Sequence, residues 1–155
     1  MDGERGIFMQ NILVICTGNT CRSPMAAGII RQIAKEKGIA EGLSVQSMGL
    51  AAFDGDGASD YAIAVLEEIG IDIRGHRSRS VLLQDLLDAD RIYVMTGQHR
   101  DVILDAAPEV EGKIVVMDVP DPFGQSIDRY RECRDRMLGF FKRELGKLGS
   151  PEGNV

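Results

Sequence analysis

The sequence predicts one α/β domain, in which a four-stranded parallel β-sheet is flanked by helices on both faces. Two observations predict this fold. Short apolar runs alternate with stretches whose apolar residues have helical spacing, which is the pattern of strands joined by crossover helices. The 155 residues suit one domain, and their 44% hydrophobic and 27% charged content is that of an ordinary globular protein.

Nine segments make up the predicted domain, and several have a recognisable boundary. The predicted strands are 12–15, 43–48, 91–95 and 113–117. The predicted helices are 24–37, 59–69, 81–87, 98–105 and 126–148. Gly38 and Gly70 end the first two helices, and Ser59 or Asp60 caps the second.

Apolar spacing predicts the buried faces of the longest helices. The first helix carries such residues at Met25, Ile29, Ile30 and Ile33. The last helix carries them at Ile127, Tyr130, Met137, Phe141, Leu145 and Leu148. Ligands of parallel sheets bind beyond the carboxyl ends of the strands, and there we expect Cys16, Thr96 and residues 118–121.

The most informative stretch, C-T-G-N-T-C-R-S-P at 16–24, lies between strand one and the first helix. Ser23 is a good helix N-cap, and Pro24 suits the first helical position. The predicted order is therefore strand, tight loop, helix. Loop N–H groups and the helix N-terminus would then point at one spot, where a phosphate fits beside Cys16.

Cys16 and Arg22 suit the chemistry of phosphoryl transfer. A helix N-terminus and a nearby arginine favour the thiolate form of a cysteine, and a guanidinium holds two phosphate oxygens at once. Gly18 allows close approach of the loop, Asn19 tolerates a left-handed backbone, and Ser23 can donate to the thiolate. A buried apolar Cys16 and a merely capping Ser23 are the alternatives, but their occurrence with Arg22 at this spacing favours the functional interpretation.

Asp121 is the candidate acid for the leaving group. It lies in V-P-D-P-F-G at 119–124, where the flanking prolines stiffen the loop. The alternative is an ordinary surface turn, in which Asp-Pro is common. Spacing alone leaves both interpretations open.

The two motifs together, C-T-G-N-T-C-R-S-P at 16–24 and D-P-F-G at 121–124, resemble the low-molecular-weight protein tyrosine phosphatase family. The similarity covers about residues 10–148. Further matches are S-M-G at 47–49, H-R-S-R at 76–79 and Y-V-M-T at 93–96.

The resemblance implies a thiophosphate intermediate on Cys16, with no metal and no cofactor. It implies that Arg22 binds phosphate and that Asp121 acts as general acid and then as base. Asn19 and Ser23 would support the loop. The residues expected to bind the substrate are Thr17, Gly18, Asn19, Thr20, Cys21, Ser23 and Phe123.

Two departures from the tyrosine-specific pattern resemble the bacterial protein arginine phosphatase branch. Tyrosine-specific members usually carry a bulky aliphatic residue where this chain has Thr20, and an aromatic pair where it has Phe123 and Gly124. Threonine narrows and wets the pocket wall, which disfavours a flat phenyl ring, whereas Asp121 suits a phosphorylated guanidinium. The implied activity is hydrolysis of phosphorylated protein side chains, with phosphoarginine favoured and phosphotyrosine as the alternative.

Other classes fit less well. Arsenate reductases that share this fold and loop need a further cysteine pair, and residues 75–100 contain no cysteine. A non-catalytic phosphate-binding module should have lost Cys16, Arg22 or Asp121, and all three are present. A P-loop kinase would need a Gly-Lys-Ser/Thr motif, which is absent from the sequence.

The sequence predicts less specific roles for the remaining cysteines and the two histidines. Cys21 either forms a redox disulfide with Cys16, protecting it from over-oxidation, or is a small buried filler. Cys133 is expected in the core, and His76 and His99 are expected to be structural or surface residues.

Composition limits the expected partners and location. The net charge of −6 argues against nucleic acid or an anionic membrane as the main partner. Three cysteines without a secretory context indicate a reducing compartment, so we expect a cytoplasmic protein. The resemblance implies a phosphorylated protein as the substrate, and we expect the enzyme to be a monomer. Residues 9–148 form the predicted phosphatase domain, 1–8 a loose extension and 149–155 a flexible tail.

Overall fold

The computed structural model describes residues 10–149 and contains one four-stranded sheet. Its strands are β1 (Gln10–Cys16), β2 (Leu43–Gly49), β3 (Arg91–Val94) and β4 (Ile114–Val116). They lie in the order β2-β1-β3-β4, and every neighbouring pair is parallel. The predicted α/β fold with a four-stranded parallel sheet is confirmed.

Within residues 10–149, five α-helices connect and follow the strands. They are α1 (Arg22–Glu36), α2 (Asp60–Glu67), α3 (Leu83–Asp88), α4 (Gly97–Ala106) and α5 (Ile127–Gly149). Ser59 caps α2, because its side chain accepts a hydrogen bond from the N–H of Ala62. Sequence spacing missed two short 3₁₀ helices, at Ala40–Gly42 and Pro108–Lys113, which are too short to show a period.

The sheet is buried on both faces, which explains why β1 is a continuous apolar run. Ile12 and Val14 face the core formed with α1, α2 and α5, whereas Leu13 and Ile15 face a second core on the other side. Both predicted helical faces lie in the first core, except that the side chain of Leu148 lies outside the described residues. Burial on two sides fixes β1 in the middle of the sheet and thereby fixes the loop that follows it.

Gly28 allows the segment 70–79 to lie against α1. A Cβ at this position would lie 2.8 Å from Cγ2 of Ile73, which is closer than side chains pack. This close approach matters below, because 70–79 carries a residue that supports the loop after β1.

Among residues 10–149, no helix is long and apolar enough to cross a membrane. The predicted loose extension 1–8 lies outside the described residues. So does the predicted tail, apart from Gly149, which is the last residue of α5.

Candidate active site

The segment between β1 and α1 wraps around the sulfur of Cys16. Cys16 ends β1 and Arg22 begins α1, so the intervening residues form a short loop at the carboxyl edge of the sheet. The backbone N–H of Asn19 donates to Cys16 Sγ at 3.3 Å. Hydrogen bonds donated to the sulfur stabilise a thiolate, which is the nucleophilic form.

Ser23 was predicted to cap the helix, and that prediction is wrong. Cys21 occupies the N-cap position without a side-chain cap, and Ser23 lies inside the first turn. Its Oγ is 2.9 Å from Cys16 Sγ and accepts a hydrogen bond from Asn19 Nδ2 at 2.8 Å. Because the amide supplies one hydrogen, the hydroxyl hydrogen is left to donate to the sulfur. The hydroxyl of Ser23, which a helix cap would have used, therefore bonds to the sulfur of Cys16 instead.

Asn19 is the centre of the loop. It is fully buried and adopts a left-handed backbone with φ of 59°. Its Nδ2 also donates to Ser47 Oγ at 3.0 Å, and its Oδ1 accepts from the N–H of Arg79 at 3.0 Å. The carbonyl oxygen of Asn19 accepts from His76 Nε2 at 2.7 Å, which fixes the ring hydrogen on Nε2. Bonds from β2 and from 70–79 therefore hold this one residue in place.

His99 supports the loop from the opposite side. Its Nε2 is 2.9 Å from Thr17 Oγ1, and its Nδ1 is 3.2 Å from Thr96 Oγ1 at the N-cap of α4. Burial lowers the pKa of His99, and the nearby charge of Arg22 lowers it further. Both histidines therefore have the structural place that was predicted for them. Their specific contacts with the loop were missed, since residues 57 and 82 positions apart give no sequence signal.

Arg22 is buried, with only 5% of its side chain exposed. Its Nη1 donates to the carbonyl oxygen of Val119 at 2.9 Å, and its Nη2 lies 3.8 Å from Asp121 Oδ2. These two contacts hold the guanidinium plane beside Cys16 and tie it to the segment that carries Asp121. A guanidinium held in this way is arranged to bind two oxygens of one phosphate.

A cavity of about 220 Å³ collects most of the predicted residues. Its lining residues are Cys16, Thr17, Gly18, Thr20, Cys21, Arg22, Asp121 and Phe123. Asn19 and Ser23, which were also predicted to bind the substrate, do not line it and instead bond to the loop itself.

Asp121 lies on the exposed side of this cavity. Its side chain is 54% exposed, and its Oδ1 accepts from the N–H of Phe123 at 3.0 Å. Phe123 itself is 71% exposed at the rim. A carboxyl in this position can exchange a proton with both a leaving group and water, which a general acid and base must do.

Cys21 is buried next to two hydroxyl groups. Its sulfur lies 3.4 Å from Ser59 Oγ and 3.4 Å from the phenol oxygen of Tyr130. Burial and the contact with Cys21 raise the pKa of Tyr130, so the phenol keeps its proton. Cys133 is buried in the core as predicted, and burial raises the pKa of its thiol to about 12.

Comparison with known proteins agrees with this geometry. Residues 11–147 match the model of the family described as low molecular weight phosphotyrosine protein phosphatase. The chain belongs to this family. It is 37% identical over 146 residues to a protein-arginine-phosphatase of Geobacillus stearothermophilus, covering 88% of this chain and 95% of that protein. It is 33% identical over 130 residues to the low molecular weight protein-tyrosine-phosphatase Wzb of Escherichia coli K12, covering 79% and 84%.

A solved structure with the same fold carries a phosphorylated active site. It is a YwlE arginine phosphatase variant with a phosphorylated active-site serine, 30% identical, with a TM-score of 0.86 and coverage of 92% of this chain and 97% of that one. The relatives named above are protein phosphatases. This chain is therefore a protein phosphatase.

Proposed function

We propose that this protein phosphatase hydrolyses phosphoarginine in proteins, through a phosphocysteine intermediate on Cys16. The observation that carries the proposal is the position of Thr20 and Asp121 on the lining of the cavity that holds Cys16. Together they offer a hydroxyl and a carboxyl group to the hydrogen-bonding guanidinium group of the substrate. A relative named protein-arginine-phosphatase, 37% identical to this chain, supports the same substrate.

In the first step the thiolate of Cys16 attacks phosphorus. The S–P bond forms while the P–N bond to the guanidine breaks, and Asp121 transfers its proton to the departing nitrogen. Arg22 and the N–H groups of the loop bind the phosphoryl oxygens, where charge is concentrated in the transition state. The products of this step are an unmodified arginine side chain in the substrate protein and a phosphorylated Cys16.

In the second step water replaces the sulfur. Asp121, now a carboxylate, takes a proton from the water as the oxygen attacks phosphorus, and the S–P bond breaks to release inorganic phosphate. The thiolate that departs receives hydrogen bonds from Ser23 Oγ, 2.9 Å away, and from the N–H of Asn19. The phosphorylated active-site serine of the YwlE variant supports a covalent intermediate at this place in the fold.

The remaining lining residues have supporting roles in this proposal. Thr17, Gly18 and Cys21 shape the floor of the cavity, and exposed Phe123 contacts the part of the substrate outside it. The substrate is a phosphorylated segment of another protein, and we propose that the enzyme acts as a cytoplasmic monomer without nucleic acid, membrane or metal partners.

The test compares kcat/KM for matched phosphoarginine and phosphotyrosine peptides. The wild type should prefer phosphoarginine, and Thr20→Ile should reverse the preference by giving the wall an apolar face. Loss of the hydroxyl contact costs about 1–3 kcal/mol, or roughly 5- to 150-fold in the ratio. Thr20→Ser, which keeps the hydroxyl, is the matched control and should retain the wild-type preference. A wild type that prefers phosphotyrosine would favour the alternative assignment.

Phosphotyrosine is the second candidate, because Phe123 presents an exposed aromatic ring at the rim of the cavity. Such a ring can contact a phenyl substrate edge to face. The 33% identity to the tyrosine phosphatase Wzb also supports it. Phe123→Ala separates the two candidates, since it should lower activity toward an aromatic substrate more than toward phosphoarginine.

We propose a redox role for Cys21 as well. Peroxide would oxidise the Cys16 thiolate to a sulfenic acid, and attack by the Cys21 thiol would form a disulfide and release water. Both thiols are free in the structure and line the same cavity. Peptide mapping after mild peroxide should find the disulfide, with activity restored by a dithiol reductant. In the wild type, recovery of Cys16 only as sulfinic or sulfonic acid would contradict this role. In the Cys21→Ser variant, which cannot form the disulfide, Cys16 should be recovered in these over-oxidised forms.

A further inference from the structure

A second cavity of about 610 Å³ lies between α1 and the segment 70–79, and it shares no lining residue with the active site. Its size is within the range of pockets that bind small molecules. The lining includes four basic side chains, Arg31, Lys35, Arg77 and Arg79, and one acidic side chain, Asp72.

This concentration of positive charge is unusual for the chain, which has 24 acidic and 18 basic residues. Within residues 10–149, only Arg79 of the four cations pairs with a carboxylate, that of Asp85 at 3.0 Å. Arg31 donates to the carbonyl oxygen of Val45, and Arg77 donates to backbone carbonyls of 70–79. The charges of these two guanidinium groups are therefore not paired with a carboxylate among the described residues and are available to bind an anionic ligand.

Asp72, the carboxylate that lines the cleft, already pairs with an arginine. Both oxygens of Asp72 accept from the guanidinium of Arg74, at 3.0 and 3.1 Å, and these bonds lower the pKa of Asp72 to about 2. Asp72 therefore does little to repel an anion from the cleft. The four cations that line the cleft suit a ligand that carries several negative charges, such as adjacent phosphate groups.

The cleft also reaches the bonds that hold the catalytic loop. Ser47 and His76 line it, and both make hydrogen bonds to Asn19. Burial lowers the pKa of His76, and the charges of Arg31 and Arg77 lower it further. An anion between these groups would offset both charges and act on the bond from His76 to the loop.

We propose that this cleft binds a small ligand with two or more adjacent phosphate groups, and that binding alters the rate of the phosphatase through Ser47 and His76. The concave shape of the cleft, with a volume of about 610 Å³, favours a compact ligand over an acidic protein surface. Inorganic polyphosphate and a nucleoside triphosphate share the chemistry that the cations recognise. The site is separate from the active site, so the ligand is an effector and not a substrate.

The binding test uses the whole protein with its active site filled by an aryl phosphonate, as verified by complete inhibition. Tripolyphosphate, ATP, adenosine and a polyglutamate peptide are then titrated calorimetrically. Tripolyphosphate and ATP should bind at one site and adenosine should not. Equal affinity assigns the site to the phosphate chain, whereas tighter binding of ATP assigns it to a nucleotide. No binding of either polyphosphate, or tighter binding of a polyglutamate peptide, would overturn the proposal.

The variant Lys35→Gln/Arg77→Gln locates the site. It removes two exposed charges that do not line the active site, and it should weaken binding by at least about tenfold, because each charged side chain can donate charge-assisted hydrogen bonds to phosphate oxygens. Lys142→Gln/Arg143→Gln on α5 makes the same change in net charge away from the cleft and should leave affinity unchanged. Equal losses in both variants would mean that only net charge is sensed.

Coupling to the catalytic loop has its own readouts. Bound tripolyphosphate should raise the pKa of His76 measured by NMR, and it should change kcat for a small aryl phosphate by at least about twofold. Competition by tripolyphosphate at the active site would raise KM alone, and this effect should persist in the Lys35→Gln/Arg77→Gln variant. The change in kcat, by contrast, should disappear in that variant. An unchanged kcat and an unchanged His76 pKa would overturn the coupling. Neither assay uses phosphoarginine, so the outcome is independent of the proposed substrate.

Discussion

The two loops that meet at the cavity are built in opposite ways. The loop after β1 is buried and internally bonded: Asn19 is 0% exposed, and its amide and carbonyl groups are paired with side chains or backbone from three other segments. The segment that carries Asp121 is open, with Asp121 54% and Phe123 71% exposed. Arg22, which follows the first loop as the first residue of α1, contacts the second segment at Val119 and Asp121.

This difference corresponds to the two parts of a phosphorylated substrate, the phosphoryl group and the leaving group. The phosphoryl group is the same in every substrate, so a rigid and fully bonded loop can be arranged for it in advance. The leaving group varies and must exchange a proton, so the acid needs access to water and room to adjust. Changes in the first loop should therefore affect all substrates alike, while changes near Asp121 should depend on the leaving group.

The largest effect is expected for Cys16→Ser. The substitution is nearly isosteric, so the fold and binding of an aryl phosphonate should be retained, while kcat should fall by at least about 10⁴-fold on every substrate. Steady-state kinetics and the melting temperature are measured in parallel. Retained turnover with any leaving group would rule out the covalent route, and Cys133→Ser in the core is the control for loss of a thiol.

Asp121→Asn should act selectively. Asparagine keeps an oxygen for the N–H of Phe123 but has no proton to give, so poor leaving groups should slow by about 10²–10⁴-fold. Aryl phosphates with good leaving groups should lose much less. The measurement is kcat/KM across a series of leaving-group pKa values, with Asp118→Asn, a nearby exposed carboxylate, as the control. Uniform losses across the series would remove Asp121 as the acid.

Asn19 tests the rigid side of the comparison. Asn19→Gly keeps the left-handed backbone but deletes three side-chain hydrogen bonds, two donated and one accepted. We expect the free energy of unfolding to fall by about 2–4 kcal/mol, with a similar drop in kcat for good and poor leaving groups. Asn19→Ala adds backbone strain of roughly 1–2 kcal/mol, so the two variants separate bonding from conformation. A loss that depended on the leaving group would contradict the division of roles.

How far the sequence predicts this site depends on how the contacts are made. The strands, Cys16, Arg22 and Asp121 belong to continuous segments, and their patterns predicted both the sheet and the residues around the cavity. The local pattern at Ser23 was misleading, because a serine before a proline has the same signature whether it caps a helix or bonds to a sulfur.

The long-range contacts had no comparable signal. His76, Ser47 and Arg79 reach Asn19 from 28 to 60 residues away, and only the folded chain brings them together. The basic cleft is of the same kind, since its cations come from α1 and from 70–79, and the acidic total charge of the sequence conceals them. Periodicity describes one element at a time and therefore cannot predict which side chains meet between elements.

The smallest effect is expected from the two histidines, through the dependence of stability on pH. Burial lowers the pKa of both His76 and His99 in the folded protein. As the pH falls, each histidine of the unfolded chain takes up one proton near pH 6.5, before the same histidine does so in the folded protein. The unfolded state then binds more protons, so the free energy of unfolding should decrease as the pH falls from 7.5 to about 5.5.

Carboxylates do not account for this window, because bonds from arginines lower the pKa values of Glu68 and Asp72 to about 2 and their contributions are lost only at more acidic pH. Urea unfolding at three pH values measures the slope. His76→Gln keeps a donor for the carbonyl of Asn19, and His99→Gln keeps a hydrogen-bonding amide for Thr17 Oγ1, so each should flatten the slope without removing the contact. The double variant should lose most of it. If the double variant kept the wild-type slope, other groups would carry the pH dependence, and the two histidines would be supports of the loop that do not titrate in this range.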